Sequence, residues 1–368
     1  MTTWSGQQEQ ALAEVRAWIK DKEGAQVFRL FGFAGTGKTT LAKEVAGMVK
    51  KPRFGAFTGK AASVMRKKGC DDAQTIHSLI YRIKPGTEHS PEPEFEISDD
   101  SEIKQADLVI IDECSMIGEE MGGDLLSFGK KILVIGDPAQ LPPIKGAGFF
   151  TEQEPDFMLT EVHRQARDNP IIALSMRIRE GEKLEPQDSG LCRIITQADI
   201  TPEEILGCDQ VLVGLNRTRH RYNGRIRELL ERPPLVPVRG DKLICLRNDR
   251  KKGIYNGSMW KANSVRNGKR GEHLFNVTIH ALDNDSEADR SVKVREEFFA
   301  GTEADLPWQE KRGTQEFTFG YAITCHKSQG SQWDNVIVFN ESGAFRDDAK
   351  RWLYTAATRA AEKLTVVM

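Results

Sequence analysis

The segment that most constrains this chain is Gly32-Phe33-Ala34-Gly35-Thr36-Gly37-Lys38-Thr39-Thr40. It follows the apolar run Val27–Phe31 and opens a helical stretch, Lys38–Lys50. A strand, then G-x-x-x-x-G-K-[ST], then a helix is the setting in which this pattern is a phosphate-binding loop. The glycines let backbone N–H groups curl around phosphates at the positive end of the helix. Gly35, Thr36, Gly37, Lys38, Thr39 and Thr40 are therefore the nucleotide-binding positions. Lys38 is expected to reach the β/γ-phosphates and the Thr39 hydroxyl to bind Mg²⁺.

The surrounding sequence has the matching grammar. Short apolar runs at Val27–Phe31, Arg53–Phe57, Leu108–Ile111, Ile132–Ile135 and Phe157–Leu159 alternate with helical stretches at Gln7–Lys20, Lys38–Lys50 and Ala61–Lys68. Such alternation predicts an α/β fold, a parallel sheet with helices on both faces. It returns later, with strands expected at Arg193–Thr196, Gln210–Leu215, Phe319–Ile323, Val336–Phe339 and Leu364–Val367. Helices are expected there at Pro170–Glu180, Thr218–Glu231 and Ala349–Arg359. Between them, Asp241–Phe299 carries β-like runs with turn signals at Asn256-Gly257, Asn267-Gly268 and Asp283-Asn284, which predict a small inserted antiparallel module. Pro85–Glu102, rich in Pro, Glu, Ser and Asp around Phe95, reads as a hairpin or a disordered loop.

Composition excludes several classes. The chain has 368 residues, 39% hydrophobic and 29% charged, which is too apolar for a disordered protein. Its longest apolar runs fall far short of the roughly 20 residues that cross a bilayer. The first ten residues show no basic start followed by an apolar stretch, so no signal peptide is expected. The six cysteines form no C-x-x-C pair, which suggests neither a zinc ribbon nor a disulfide framework. With 52 Lys+Arg against 54 Asp+Glu, net charge gives no argument for a polyanionic partner.

A second anchor, Leu108-Val109-Ile110-Ile111-Asp112-Glu113, puts two carboxylates at the carboxyl end of a strand, where open α/β sheets bind ligands. Asp112 is suited to the Mg²⁺ shell. Glu113 is suited to orient and deprotonate an attacking water, which points to nucleotide hydrolysis.

Further motifs follow in order. They are Asp112-Glu113-Cys114-Ser115-Met116, Gly136-Asp137-Pro138-Ala139-Gln140-Leu141-Pro142-Pro143, Leu159-Thr160-Glu161-Val162-His163-Arg164, Thr324-Cys325-His326-Lys327-Ser328-Gln329-Gly330 and Tyr354-Thr355-Ala356-Ala357-Thr358-Arg359. Over nearly the whole chain this set resembles the superfamily 1 helicases, most of all the class B, 5′-to-3′, RecD/Dda-like branch. The short, compact layout is closest to that of the phage members.

The resemblance implies two RecA-like parallel-sheet domains with a pin insertion and an inserted small β-barrel of the Src-homology-3 type. The boundaries expected are 1–158 for the first domain, with the pin at 83–104, 159–237 plus 318–368 for the second, and 238–317 for the barrel. It implies that Gln8, in Ser5-Gly6-Gln7-Gln8, contacts adenine, so that ATP is the nucleotide. Gln140 would sense the γ-phosphate, Arg164 and Arg359 would be arginine fingers, and Gly330 would join the nucleotide-binding set. ATP would sit between the two α/β domains. Strand-binding counterparts are Thr58, Gly59 and Lys60, then Thr75 and His77, then Thr324 and His326. Pro85 and Phe95 would be the stacking faces of the pin. Trp260 reads equally as core or contact.

The function so implied is an ATP-dependent DNA helicase, moving 5′-to-3′ on single-stranded DNA and opening forks and duplexes. The expected location is the cytoplasm of a bacterial or phage-infected cell, with replication, recombination or repair proteins as partners and no membrane. A motor that strips proteins or serves a larger complex without opening forks is the alternative. A small-molecule kinase with the same loop would leave Glu113, Gln140, Arg164 and Arg359 without roles. Polarity rests on the resemblance alone.

Overall fold

A computed structural model describes residues 4–87, 94–143, 146–161, 169–249, 252–268, 273–282 and 288–368. The chain divides into two compact units. The first is Met1–Lys183 with Lys350–Thr358, and the second is Leu184–Ala349 with Arg359–Met368.

The first unit is built on six parallel strands: β1 (Val27–Gly32), β2 (Pro52–Ala56), β3 (Gln74–Thr75), β6 (Leu108–Asp112), β7 (Ile132–Gly136) and β8 (Phe157–Leu159). Their order is β3-β2-β6-β7-β1-β8. The central strands are nearly unbroken runs of Val, Ile and Leu because both faces are covered. In β6, Leu108 and Ile110 enter one core with Ala11, Val15, Leu41 and Met65 from the helices. Val109 and Ile111 enter the opposite core with Ile76, Leu79, Leu125 and Phe150. The first helix, Gly6–Lys20, starts with a capping box between Ser5 and Gln8 and buries Gln8, Ala11, Val15 and Trp18 on one face.

A two-stranded hairpin, β4 (Tyr81–Ile83) with β5 (Phe95–Ile97), leaves this sheet. Its first arm begins at Tyr81, two residues before the boundary expected at 83, because the Tyr81 hydroxyl is anchored on Asp124. Residues 88–93 of the expected pin lie outside the described set.

The second unit carries a six-stranded sheet of β9 (Gln187–Asp188), β10 (Cys192–Ile195), β11 (Gln210–Val213), β17 (Ala322–Thr324), β18 (Trp333–Phe339) and β19 (Ala360–Val367). The order is β17-β11-β18-β19-β10-β9, parallel except for β9. Its companion is an antiparallel sheet, β12 (Lys242–Cys245), β13 (Met259–Asn267), β14 (Leu274–Ala281), β15 (Arg290–Arg295) and β16 (Phe317–Phe319), ordered β15-β14-β13-β12-β16. Strand β14 alternates buried and half-buried positions, the pattern of a sheet with one covered face. Trp260 lies in that core with Phe275, Phe299 and Phe317. The Asp283-Asn284 turn lies outside the described residues.

Three expectations change. Phe319–Ile323 is not one strand. Phe317–Phe319 closes the antiparallel sheet and Ala322–Thr324 edges the parallel one. The chain switches sheets at Gly320, where a Cβ would meet the Leu243 carbonyl carbon at 3.1 Å and the Met259 methyl at 2.7 Å. The first unit runs past 158, through β8 and the Pro170–Glu180 helix, to Lys183. It also takes Lys350–Thr358, most of the Ala349–Ala357 helix. No helix among the described residues is long and apolar enough to cross a membrane.

Asp241, fully buried, ties the two sheets of the second unit together. It pairs with Arg227 at 3.3 Å and Arg232 at 2.8 Å. It also accepts from the Tyr321 hydroxyl at 2.8 Å and the Val238 N–H at 2.7 Å. Arg227 is itself fully buried and stacks over Phe319 of β16. Removing the carboxylate would leave a buried guanidinium uncompensated. Asp241→Ala is therefore expected to destabilise the second unit by about 3–5 kcal/mol, read as a lower midpoint of its denaturant unfolding transition.

Candidate functional site

The phosphate loop leaves the carboxyl end of β1. Gly35 and Gly37 adopt the left-handed conformation, with φ of 79° and 80°. Gly37 is also the N-cap of the Lys38–Ala46 helix and supplies no side-chain cap, which leaves the first helical N–H groups open to an anion. Gly32 has no room for a side chain, since a Cβ would lie 2.7 Å from both Leu159 Cβ and Thr36 Oγ1.

The loop is braced from within. Thr36 Oγ1 donates to the Phe33 carbonyl at 2.9 Å, so this side chain shapes the loop. Lys38 Nζ donates to the Gly32 and Phe33 carbonyls at 2.7 and 2.8 Å, folding the ammonium over the loop. The Arg179 guanidinium stacks 3.6 Å over the Phe33 ring. Gln8 is 2% exposed, and both ends of its amide face inward. Its Oε1 accepts the Ser5 N–H at 3.0 Å and its Nε2 donates to the Thr36 carbonyl at 3.1 Å. In this form Gln8 tethers the loop to the first helix.

The acid pair stands at the end of β6. Thr39 Oγ1 donates to Asp112 Oδ2 at 3.3 Å, and the Glu113 N–H donates to Asp112 Oδ1 at 2.8 Å. Burial, reinforced by the Glu113 carboxylate, pushes the Asp112 carboxyl up to about 6, with Lys38 partly opposing. Glu113 takes a left-handed φ of 54°, a strained conformation for a non-glycine residue. A hydroxyl and a carboxylate in contact are hard oxygen donors of the kind Mg²⁺ takes. Among the described residues no group of three or more His, Cys, Asp or Glu could hold a metal. The residues present thus fit a Mg²⁺ that draws its other ligands from phosphate and water.

Beyond β7, Asp137 is buried. Its Oδ1 accepts the Ala139 N–H at 3.0 Å and its Oδ2 accepts the Tyr354 hydroxyl at 2.5 Å. Gln140 is buried too, and its Oε1 has no hydrogen-bond partner among the described residues. Alongside the loop and the start of its helix lies an open cavity of about 820 Å³. Trp4, Thr39, Thr40 and Met48 line it together with the cations Arg16, Lys20, Lys43 and Lys68.

The expected strand-binding residues of the first unit lie further along the same carboxyl edge. Thr58 caps the Gly59–Lys67 helix just beyond β2, its Oγ1 accepting the Ala61 N–H. Gly59 is buried and Lys60 half-buried. Thr75 caps Ile76–Ile80 at the end of β3. Ala56 and Thr75 are register partners, so Thr75 ends one strand and Thr58 follows the end of its neighbour. The His77 ring meets Phe95 edge-on at 4.4 Å. Phe95 and Ile83 are 48% and 43% exposed, and Pro85 is exposed. On the hairpin, Arg82 pairs with Glu96 and Asp99, and Lys84 with Glu94.

In the second unit, Thr324 starts the Cys325–Ser328 helix, and the half-buried His326 faces the Phe345 ring. Burial lowers the His326 pKa. Gly330 is left-handed at φ 74°. Arg359 is buried, with Nη1 donating to the Ser331 carbonyl at 3.2 Å. Arg164 lies outside the described residues.

The structure thus gathers Lys38, Thr39, Asp112, Glu113, Asp137 and Gln140 at the ends of β1, β6 and β7. Sequence reasoning missed Gln7, Tyr354 and Arg179. Gln7 Oε1 accepts the Thr160 and Glu161 N–H groups, tying the first helix to the end of β8. Each acts across more than 140 residues of sequence, so only the Gln7-Gln8 doublet and the Tyr354–Arg359 motif left a signal.

An AAA-domain family model matches residues 4–193, and a UvrD-like helicase C-terminal domain model matches residues 319–367. The ATP-dependent RecD2 DNA helicase of Deinococcus radiodurans is 28% identical over 96% of this chain and 48% of its own length. The conjugal transfer protein TraA of Agrobacterium fabrum is 25% identical over 92% of this chain and 31% of its own. The chain spans about half or less of the length of these relatives. Among solved structures, a Pif1 helicase described in DNA unwinding at forked duplexes aligns over 100% of this chain and 92% of its own, at TM-score 0.63 and 18% identity. A Bacteroides Pif1 bound to single-stranded DNA aligns over 100% and 93%, at TM-score 0.58 and 17% identity. These two likenesses establish the fold, two RecA-like α/β sheets.

Gln8→Ala removes the reciprocal half of the capping box and the tether to Thr36. It is expected to destabilise the first unit by about 1–2 kcal/mol in denaturant unfolding.

Proposed function

The chain belongs to the AAA-domain family, within the superfamily 1 class B helicases of RecD/Pif1 type, and we propose that it is an ATP-dependent DNA helicase that moves 5′-to-3′ on single-stranded DNA and opens duplexes. One observation carries the reading. A single carboxyl edge, β3-β2-β6-β7-β1, carries Thr75 and Thr58 after β3 and β2, the acid pair at the end of β6 and the phosphate loop after β1. Fuel chemistry and a phosphate-gripping row thus sit on one rigid sheet.

For hydrolysis, Lys38 leaves the Gly32 and Phe33 carbonyls and neutralises the β/γ-phosphates. Mg²⁺, held by the Thr39 hydroxyl and Asp112, supplies charge stabilisation to the phosphates when bound. Glu113 orients the water and takes its proton. Gln140, buried beyond the end of β7, is suited to register the γ-phosphate by donating its amide N–H groups to it. Arg359 and Arg164 are proposed to balance charge on the transferring phosphoryl group.

Thr58, Lys60, Thr75 and His77 would hold the strand from the first unit, Thr324 and His326 from the second, through phosphates rather than base edges. The hairpin is read as the duplex-splitting pin and the inserted antiparallel sheet as a small Src-homology-3-like barrel. The hairpin's Arg82 and Lys84 are already paired with carboxylates. Among its described residues, the exposed Ile83, Pro85, Phe95 and Ile97 are apolar faces suited to meet bases, a contact worth about 1–3 kcal/mol per base.

Duplexes with 5′ and 3′ single-stranded tails, in DNA and RNA, test the proposal. Unwinding of the 5′-tailed DNA with ATP is expected, and none with Lys38→Ala. Single-strand-stimulated hydrolysis without fork opening would favour a translocase that displaces proteins or drives a larger complex. Phe95→Ala is expected to slow unwinding by about tenfold while leaving single-strand-stimulated hydrolysis within about twofold. Equal losses in both assays would remove the pin role.

A further inference from the structure

We propose that Tyr354 is a positioning residue for hydrolysis, its hydroxyl linking the phosphate loop to the Asp137–Gln140 turn so that the two move together when a γ-phosphate is bound. The inference rests on the nucleotide-site reading above and adds to it a residue outside every loop that reading uses.

A phenol has one proton to give and lone pairs to receive, and Tyr354 uses both functions. Its hydroxyl donates to Asp137 Oδ2 at 2.5 Å and accepts the Ala34 N–H at 3.1 Å. Tyr354 and Asp137 are each 1% exposed, so no bulk water stands in if either bond is lost. Burial raises the Asp137 carboxyl while Lys38 and this hydroxyl work against the rise, which helps it stay an acceptor. The next residue on the helix repeats the pattern, since Thr355 Oγ1 accepts the Leu141 N–H at 2.9 Å. Two consecutive helical residues therefore hold the turn at Asp137 and at Leu141. Gln140, whose buried Oε1 has no hydrogen-bond partner among the described residues, lies between those two fixed points.

The phosphate loop must rearrange when a triphosphate enters, because Lys38 Nζ is spent on the Gly32 and Phe33 carbonyls. Ala34 follows Phe33 directly, so any shift of the Phe33 carbonyl as Lys38 turns to the phosphates is passed to the Ala34 N–H held by Tyr354. The helix that carries Tyr354 ends at Ala357, two residues before Arg359. The hydroxyl is thus bonded to both walls of the phosphate site and lies one short helix segment upstream of the proposed finger.

Tyr354→Phe keeps the ring and removes the hydroxyl. Three quantities decide the matter: affinity for ADP, affinity for ADP with tetrafluoroaluminate, and kcat with KM for ATP. The variant is expected to bind ADP within about twofold of wild type, to lose about tenfold of its preference for the aluminium fluoride complex, and to lose about tenfold in kcat with KM within about threefold. Adding Asp137→Asn to Tyr354→Phe is expected to cost little beyond the worse single change, because the two act as one link. An unchanged preference with kcat within twofold overturns the proposal. So does an equal loss of ADP and aluminium fluoride binding with a lowered melting temperature, which is what a purely structural tyrosine would give. Failure of the underlying reading looks different. In that case wild type itself binds no ADP, or Lys38→Ala hydrolyses ATP as wild type does, and the Tyr354 role falls with it.

Discussion

The burial of β6 on both faces is the constraint on which the first unit depends. Leu108, Val109, Ile110 and Ile111 are fully covered, alternately by one core and the other, so the strand cannot tilt or slide without opening a cavity. What such a strand delivers at its end is delivered rigidly. Asp112 emerges beside Thr39, and Glu113 is thrown into a left-handed turn immediately after it. The dry core also makes Asp112 costly to ionise and, with the Glu113 carboxylate beside it, pushes the Asp112 carboxyl up to about 6. The electrostatic cost and the backbone strain are both concentrated at the site that ligand binding would relieve, as expected where local stability is given up for chemistry.

The second unit solves a different problem, joining a parallel sheet to an antiparallel one within a few residues. Gly320 supplies the switch because only a glycine fits against the Leu243 backbone. Asp241 and Arg227 supply the fastening, two buried opposite charges, with the Arg227 terminal nitrogens also donating to the Pro234 and Val236 carbonyls and Asp241 also accepting from Tyr321. A well-packed apolar pair would hold as firmly, so what the ion pair adds is geometric specificity at a joint with two sheets to align.

The sequence was most legible where burial is complete. β1, β6 and β7 were read to within a residue or two because a strand covered on both faces has no option but a continuous apolar run. The phosphate loop and acid pair were legible because their chemistry dictates residue types at fixed spacings. Phe319–Ile323 misled because two short strands of different sheets abut across Gly320 with no polar residue to mark the join. The hairpin was placed late because its first arm, Tyr81-Arg82-Ile83, is too short to show alternation. The bond from Gln8, read as an adenine contact, to the Thr36 carbonyl spans 28 residues and leaves no local pattern. Arg179 is silent, and Tyr354 is marked only as part of the Tyr354–Arg359 motif, because their partners Phe33, Asp137 and Ala34 lie far away in sequence.

The membership of Lys350–Thr358 in the first unit has a consequence for biosynthesis. A ribosome makes the phosphate loop and the Asp137 turn long before it makes the helix that satisfies Ala34, Asp137 and Leu141. Until that helix arrives, the Ala34 N–H and Asp137 Oδ2 lack the Tyr354 hydroxyl that joins them in the finished unit, and the nascent first unit has an unfilled seat in its core. The whole second unit up to Ala349 is threaded between the seat and its occupant. The nucleotide site is therefore completed only after the intervening residues 184–349 have been made.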